Sequence, residues 1–244
     1  MTAILALHGF TGSPRSWDLL PDRKVLPRVT PALVGHSGSD AGSEVNSFED
    51  EVDRLATLTP ERGAHVVGYS LGARLALGLA LRHPTRVTRL TLLSGHPGLQ
   101  TAVERAQRRA SDAAWCDILL RRGVPAFVDA WQAQAMWATQ AALPEVVRQQ
   151  RRSERLSHSA QGLALSLRLT GLGEMPHYGA RLTEIRIPVT LVAGSLDTKF
   201  SDLSRHMAGQ LAHVTTEIVE GAGHDLLLER PAFVTEVIQR GNQT

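Results

Sequence analysis

The segment Val66-Val67-Gly68-Tyr69-Ser70-Leu71-Gly72-Ala73-Arg74 constrains the fold of this chain more than any other. A β-branched pair, Val66-Val67, enters it, and a helix-forming run, Leu71–Arg82, leaves it. Between them stands Gly68-x-Ser70-x-Gly72, the pattern of a tight strand-to-helix elbow that holds a serine hydroxyl above a sheet in a strained conformation. The two glycines suit a place where strand and helix backbones approach too closely for a β-carbon. A serine hydroxyl is a poor nucleophile or base by itself, so the elbow predicts a histidine and a carboxylate elsewhere in the chain.

The surrounding sequence alternates in a way that fits such an elbow. Residues 3–7 form a short apolar run that reads as a buried strand, ending at the glycine-punctuated loop His8-Gly9-Phe10-Thr11-Gly12-Ser13. A short helix carrying Trp17, Leu19 and Leu20 follows, then a weaker strand over residues 25–29, cut by Pro27, and a turn-rich loop over 34–40. Phe48, Val52, Leu55 and Leu58 recur at helical spacing after Ser47, a suitable N-cap. Strands are predicted over 64–67, 87–93, 189–194 and 214–219, with helices over 203–211 and 232–240. Between 98 and 179 the pattern is helical throughout, with helices predicted over 101–122, 125–136, 144–156 and 160–169. Alternating strands and helices imply a mostly parallel sheet with helices on both faces. Residues 1–97 and 180–244 therefore read as the α/β core, and 98–179 as a helical lid over the strand ends, where such sheets bind ligands.

The elbow's partners should follow in the chain order serine, carboxylate, histidine. Ser195-Leu196-Asp197 comes directly after the strand ending at Gly194, and Gly221-Ala222-Gly223-His224-Asp225 after the last strand. Ser70, Asp197 and His224 thus form a candidate catalytic triad by order and context, with the aspartate fixing the tautomer of the histidine that takes the serine proton. Asp202 and Asp225 compete less well, because neither sits just past a strand. Ser37, in Gly35-His36-Ser37-Gly38-Ser39, has no strand leading into it and reads as a turn; Cys116 reads as core. The N–H groups of Phe10 and Leu71 are the candidate oxyanion hole. His8 would either help shape that hole or simply pack in its loop. An α/β-hydrolase fold with an intact triad follows, and the substrate stays open. An esterase or thioesterase forming an acyl-Ser70 and a lyase using the same pair as a base remain in play; a non-catalytic binding protein is disfavoured.

Composition narrows the setting. With 244 residues, 43% of them apolar, the chain can bury one sizeable core. The net charge of +2, without any block of like charges, offers no nucleic-acid footprint. Its basic residues are nearly all arginine, so the lysines, Lys24 and Lys199, are the more informative cations. One cysteine permits no internal disulfide and suits a reducing compartment. The first residues lack the basic region of a signal peptide, and no apolar run reaches the roughly 18 residues that span a bilayer. A cytoplasmic protein acting on a small molecule, without metal or cofactor, is expected.

Further motifs are more particular. Leu7-His8-Gly9-Phe10-Thr11-Gly12-Ser13, Gly68-Tyr69-Ser70-Leu71-Gly72-Ala73-Arg74 and Ser94-Gly95-His96-Pro97-Gly98-Leu99 resemble the 2-succinyl-6-hydroxy-2,4-cyclohexadiene-1-carboxylate (SHCHC) synthases of menaquinone biosynthesis. So do Glu104-Arg105-x-x-Arg108 with Asp112, Phe127-x-x-x-Trp131, Gly162-Leu163-Ala164 and Gly194-x-x-Asp197-x-Lys199-Phe200. The likeness runs nearly end to end and implies a lid inserted after the equivalent of the fold's sixth strand. It also implies an elimination of pyruvate from an enolpyruvyl-bearing cyclohexene, with the triad acting as a base. The implied substrate carries three carboxylates, which planar guanidinium forks pair with well. By the resemblance, Arg74, Arg108 and Lys199 contact those carboxylates, Tyr69 and Trp131 line the pocket, and Arg155 supplies a further contact. Trp131→Ala should then weaken substrate binding and leave the fold undisturbed. The sequence departs from the family pattern at Val34, where a proline is usual, and at Ala73, where a second glycine is common. It also starts with the strand before His8, leaving no room for the antiparallel strands that often open this fold.

Overall fold

The computed structural model describes residues 3–21, 26–41 and 43–243, the side chains of 242 and 243 aside. The N-terminal Met1-Thr2, Lys24 and the start of the strand expected over 25–29 lie outside these residues. Six strands, β1 (Ile4–Leu7), β2 (Arg28–Val29), β3 (Ala64–Tyr69), β4 (Val87–Leu93), β5 (Val189–Gly194) and β6 (Val214–Val219), form one sheet in the order β2-β1-β3-β4-β5-β6. Every neighbouring pair is parallel. β2 holds two residues, consistent with Pro27, which cannot donate to a ladder.

Alternation along the strands sorts side chains onto two faces. Leu5, Leu7 and Val66 join one core cluster with α1 (Phe48–Ala56) and α2 (Leu71–Arg82). Ile4, Ala6, Val67 and Tyr69 join a second with Trp17 and α8 (Pro231–Gln243). Burial on both faces explains why β1 and β3 read as continuous apolar runs rather than alternating ones. The register pairs Leu7 with Gly68, Tyr69 with Leu93 and Gly194 with Val219, so the loops leaving these strands emerge at one sheet edge. The chain doubles back beside β1, the switch point at which open α/β sheets leave a crevice.

Between β4 and β5 no strand occurs among the described residues. This segment carries α3 (Ala102–Gln132), α4 (Glu145–Leu156) and α5 (Ala160–Thr170). The two helices expected over 101–122 and 125–136 are one element broken at Gly123, where φ is 81° just before Pro125. Thr101 and Glu104 close a capping box at its start. Leu119, Phe127, Trp131, Trp137 and Leu163 form a third apolar cluster, separate from those on the sheet. Two elements differ from the sequence reading. α6 (Thr198–Ala208) begins five residues earlier than expected, directly after Asp197, and Ser201 bonds back to the Asp197 carbonyl. The short α7 (Leu226–Glu229) was not predicted; Asp225 caps it. No helix among the described residues is long and apolar enough to cross a membrane.

Candidate active site

At the elbow, Ser70 has φ 51° and ψ −104°, a conformation L residues seldom adopt. A Cβ on Gly68 would lie 2.3 Å from the Gly72 carbonyl oxygen, and one on Gly72 only 2.1 Å from that of Leu7. Both positions therefore demand glycine. The Ser70 N–H donates to Leu93 O at 2.9 Å, tying the strained turn to β4.

The hydroxyl faces a histidine. His224 Nε2 lies 3.0 Å from Ser70 Oγ, and His224 Nδ1 lies 2.6 Å from Asp197 Oδ2. A neutral ring donating Nδ1–H to the carboxylate presents its Nε2 lone pair to the serine. Asp197 starts α6 but its side chain makes no capping bond, leaving the carboxylate to the histidine. The competing aspartates are engaged elsewhere: Asp202 with Arg205, Asp225 with Arg151 and the α7 cap. Ser37 donates to Ser157 O at 2.8 Å, far from this constellation in its bonding. Cys116 is buried, with Sγ directed at Ala164 O.

Ser70 opens into a cavity of about 350 Å³ lined by Phe10 and Leu71 on the sheet side and by Trp131 and Trp137 from the 98–179 segment. Tyr69, Arg74, Arg108 and Lys199 also line it. Arg74 donates to Thr170 O at 2.8 Å, and Arg108 to Asp112 at 2.9 Å. Burial, followed by repulsion from Arg108, lowers the Arg74 guanidinium to about 9, still protonated at neutral pH. His96, on the same wall, is lowered to about 3 by burial and then by Arg74, Lys199 and Arg108. The cavity wall thus carries Arg74, Arg108 and Lys199 against Asp112, paired with Arg108, and Asp197, an excess of one positive charge that favours an anionic ligand.

Arg155 is the exception among the expected contacts. It does not line the cavity; it is 1% exposed, with its guanidinium carbon 5.0 Å from the ring centre of Trp137. Its side chain backs the indole that forms the wall, and burial lowers it to about 10. Trp131 does line the cavity but also stands at the centre of an aromatic cluster. Phe10, Trp115 and Phe127 lie 5.3, 5.3 and 5.5 Å from it by ring centres. Sequence reasoning missed Trp137 and Phe200, whose rings lie 5.5 and 4.5 Å from the His224 imidazole. Phe200 was visible only as the residue after Lys199; Trp137 carried no local signal.

A family model for the alpha/beta hydrolase fold matches residues 2–231. A Salmonella arizonae protein named 2-succinyl-6-hydroxy-2,4-cyclohexadiene-1-carboxylate synthase is 31% identical over 97% of this chain and 92% of its own length. A Bacillus subtilis (strain 168) protein, given that name provisionally, is 36% identical over 97% of this chain and 88% of its own. The chain belongs to the SHCHC synthase family. Among solved structures, MenH from S. aureus superposes with a TM-score of 0.94 at 26% identity, covering 100% of this chain and 95% of that one. Both likenesses run through the helical segment 98–179 as well as the sheet.

Proposed function

We propose that this chain is an SHCHC synthase, a carbon–oxygen lyase of menaquinone biosynthesis. It would release pyruvate from 2-succinyl-5-enolpyruvyl-6-hydroxy-3-cyclohexene-1-carboxylate. One observation supports this over ester hydrolysis: the cavity at Ser70 is lined by Arg74, Arg108 and Lys199. Three cations suit a tricarboxylate, and a neutral ester has no use for them.

The names of substrate and product define the bond changes. The ring double bond at C3 becomes double bonds at C2 and C4, and the substituent at C5 leaves. Loss of the C2 proton, acidified by the attached succinyl carbonyl, supplies the electron pair for C2=C3. The former C3=C4 pair moves to C4=C5, the C5–O bond breaks, and enolpyruvate departs to become pyruvate on taking up a proton. Ser70 Oγ takes the C2 proton as its own passes to His224 Nε2, and Asp197 offsets the imidazolium charge. The N–H groups of Phe10 and Leu71 stabilise the enolate oxygen that develops on the succinyl carbonyl. Arg74, Arg108 and Lys199 hold carboxylates; Tyr69 and Trp131 shape the walls, and Arg155 stiffens Trp137 from behind. Residues 98–179 serve as the lid on a core of 1–97 and 180–244, in a cytoplasmic enzyme.

The test offers the purified protein the enolpyruvyl substrate and, separately, aryl esters. Rapid pyruvate release with little ester turnover is the expected result. Ester turnover with no pyruvate release sinks the assignment.

A further inference from the structure

Phe10, in the loop that follows β1, is followed by a strained residue. Gly12 N–H donates to Gly9 O at 3.0 Å, closing a turn over Gly9-Phe10-Thr11-Gly12. Its third residue, Thr11, has φ 63°. Turns with a left-handed third residue normally place glycine there, and a β-branched side chain in that conformation persists only where its surroundings over-determine it.

Two histidines supply that constraint, one from each side. Thr11 N–H donates to His36 Nε2 at 3.3 Å, and Thr11 O lies 3.2 Å from His158 Nε2. His36 stands in the loop after β2; His158 stands in the turn between α4 and α5. The tautomers are mutually consistent. His36 Nδ1 faces the Val34 carbonyl at 3.2 Å and must donate there, leaving Nε2 to accept. His158 Nδ1 accepts Ser37 N–H at 3.1 Å, leaving Nε2 to donate to Thr11. The rings stand edge to face, 5.3 Å apart, and His36 likewise meets His8 at 4.8 Å.

All three rings are buried. Burial is the main cause holding each below its ordinary range, His8 at about 4. His8 and His158 depress His36 further; Glu154 of α4 opposes the shift at His8 and His158, and Arg151 adds to it at His8. At neutral pH each ring thus keeps the single proton that its two bonds require.

We infer that His158 and His36 are positioning residues for the Phe10 amide: by clamping both backbone groups of Thr11, they let the docked lid turn set the oxyanion loop. The inference rests on the oxyanion role proposed above for Phe10. Neither histidine lines the cavity, so neither is offered as a catalytic group.

The experiment compares His158→Asn with His158→Gln. Glutamine reaches as far as the imidazole Nε2 and keeps a donor for Thr11 O, whereas asparagine keeps only the acceptor for Ser37. His158→Asn should lower kcat about tenfold or more at unchanged KM, and His158→Gln should stay within about threefold of wild type. Thr11→Gly removes the strain that makes the clamp necessary, so Thr11→Gly/His158→Asn should match Thr11→Gly alone in kcat. If His158→Asn does not fold, that last pair carries the comparison. Unchanged kcat in His158→Asn, or a tenfold gap between the double variant and Thr11→Gly, overturns the inference. Wild-type pyruvate release is a separate readout: its absence defeats the lyase reading, while the variant ratios remain measurable with any substrate turned over at Ser70.

Discussion

The floor and the roof of the cavity are built on different terms. On the floor, Ser70, His224 and Asp197 are linked by bonds of 3.0 and 2.6 Å that exist within the protein alone. On the roof, the indole N–H groups of Trp131 and Trp137 are buried without a protein partner. An unsatisfied buried donor costs roughly 1–3 kcal/mol, a cost that Tyr69 Oη, on the sheet side of the same cavity, shares. The contrast teaches that Ser70, His224 and Asp197 are aligned by bonds within the protein, while the aromatic walls around them keep donors the fold itself leaves unmatched.

The sharpest break of that contrast is Ser70→Ala. Its hydroxyl bonds His224 and little else, so pyruvate release should fall by about 10³-fold or more while the thermal midpoint barely moves. A comparable loss of stability would mean that the floor is structural. Next comes Trp131→Ala, where the aromatic cluster around the ring adds a stability cost to the expected loss of binding. Removing the central ring of a buried aromatic cluster should cost about 3 kcal/mol in a denaturant titration, on top of weaker substrate binding. Trp131→Phe, retaining most of the ring contacts, separates the two effects.

Arg74→Ala should reduce kcat/KM by roughly 30- to 100-fold, the value of a charge-assisted bond, and Arg74→Lys should recover part of it. A loss shared equally by an uncharged aryl ester would show that Arg74 supports the elbow rather than a carboxylate.

Acid probes the junction between the halves. His8 is held near 4 by burial, against an ordinary value near 6.5. Between those values the unfolded chain binds a proton that the folded one refuses, so stability should fall as pH drops through this window. The slope should be about 1.4 kcal/mol per pH unit for each such histidine, read from urea midpoints. A flat profile from 6.5 to 4 would contradict buried neutral rings.

The smallest effect belongs to the roof alone. At Gly123 a Cβ would meet only Pro125 Cδ at 3.7 Å, an ordinary contact, so Gly123→Ala tests conformation without crowding. Its φ of 81° and ψ of 172° fall in a region essentially reserved for glycine, which predicts a loss of roughly 1–3 kcal/mol, with the chemistry at Ser70 unaffected.

Much of the floor was legible beforehand because its determinants are local. Gly68-x-Ser70-x-Gly72 encodes a steric requirement, and Asp197 and His224 each follow directly on a strand. Strands in a mostly parallel sheet followed from the alternating patterns, whereas their order in the sheet came from the structure. The roof was less legible. Helical spacing in 98–179 located its helices to within a few residues but carried no information on which side chains face the cavity. Arg155 and Arg108 look alike in sequence, and Trp137 lies in a 3-10 stretch, Ala135–Ala142, without helical periodicity to orient it.

By itself, the sequence determined the elbow, the chain order of the triad and the family, since these depend on backbone sterics and short motifs. Only the tertiary structure decided that Arg155 stacks behind Trp137 and does not line the cavity with Arg74, Arg108 and Lys199. It alone brought His8, His36 and His158 together around the loop that follows β1. Those outcomes depend on how the 98–179 segment seats against the sheet edge, through contacts between residues more than a hundred positions apart, as from Thr11 to His158. No local spacing encodes such a contact.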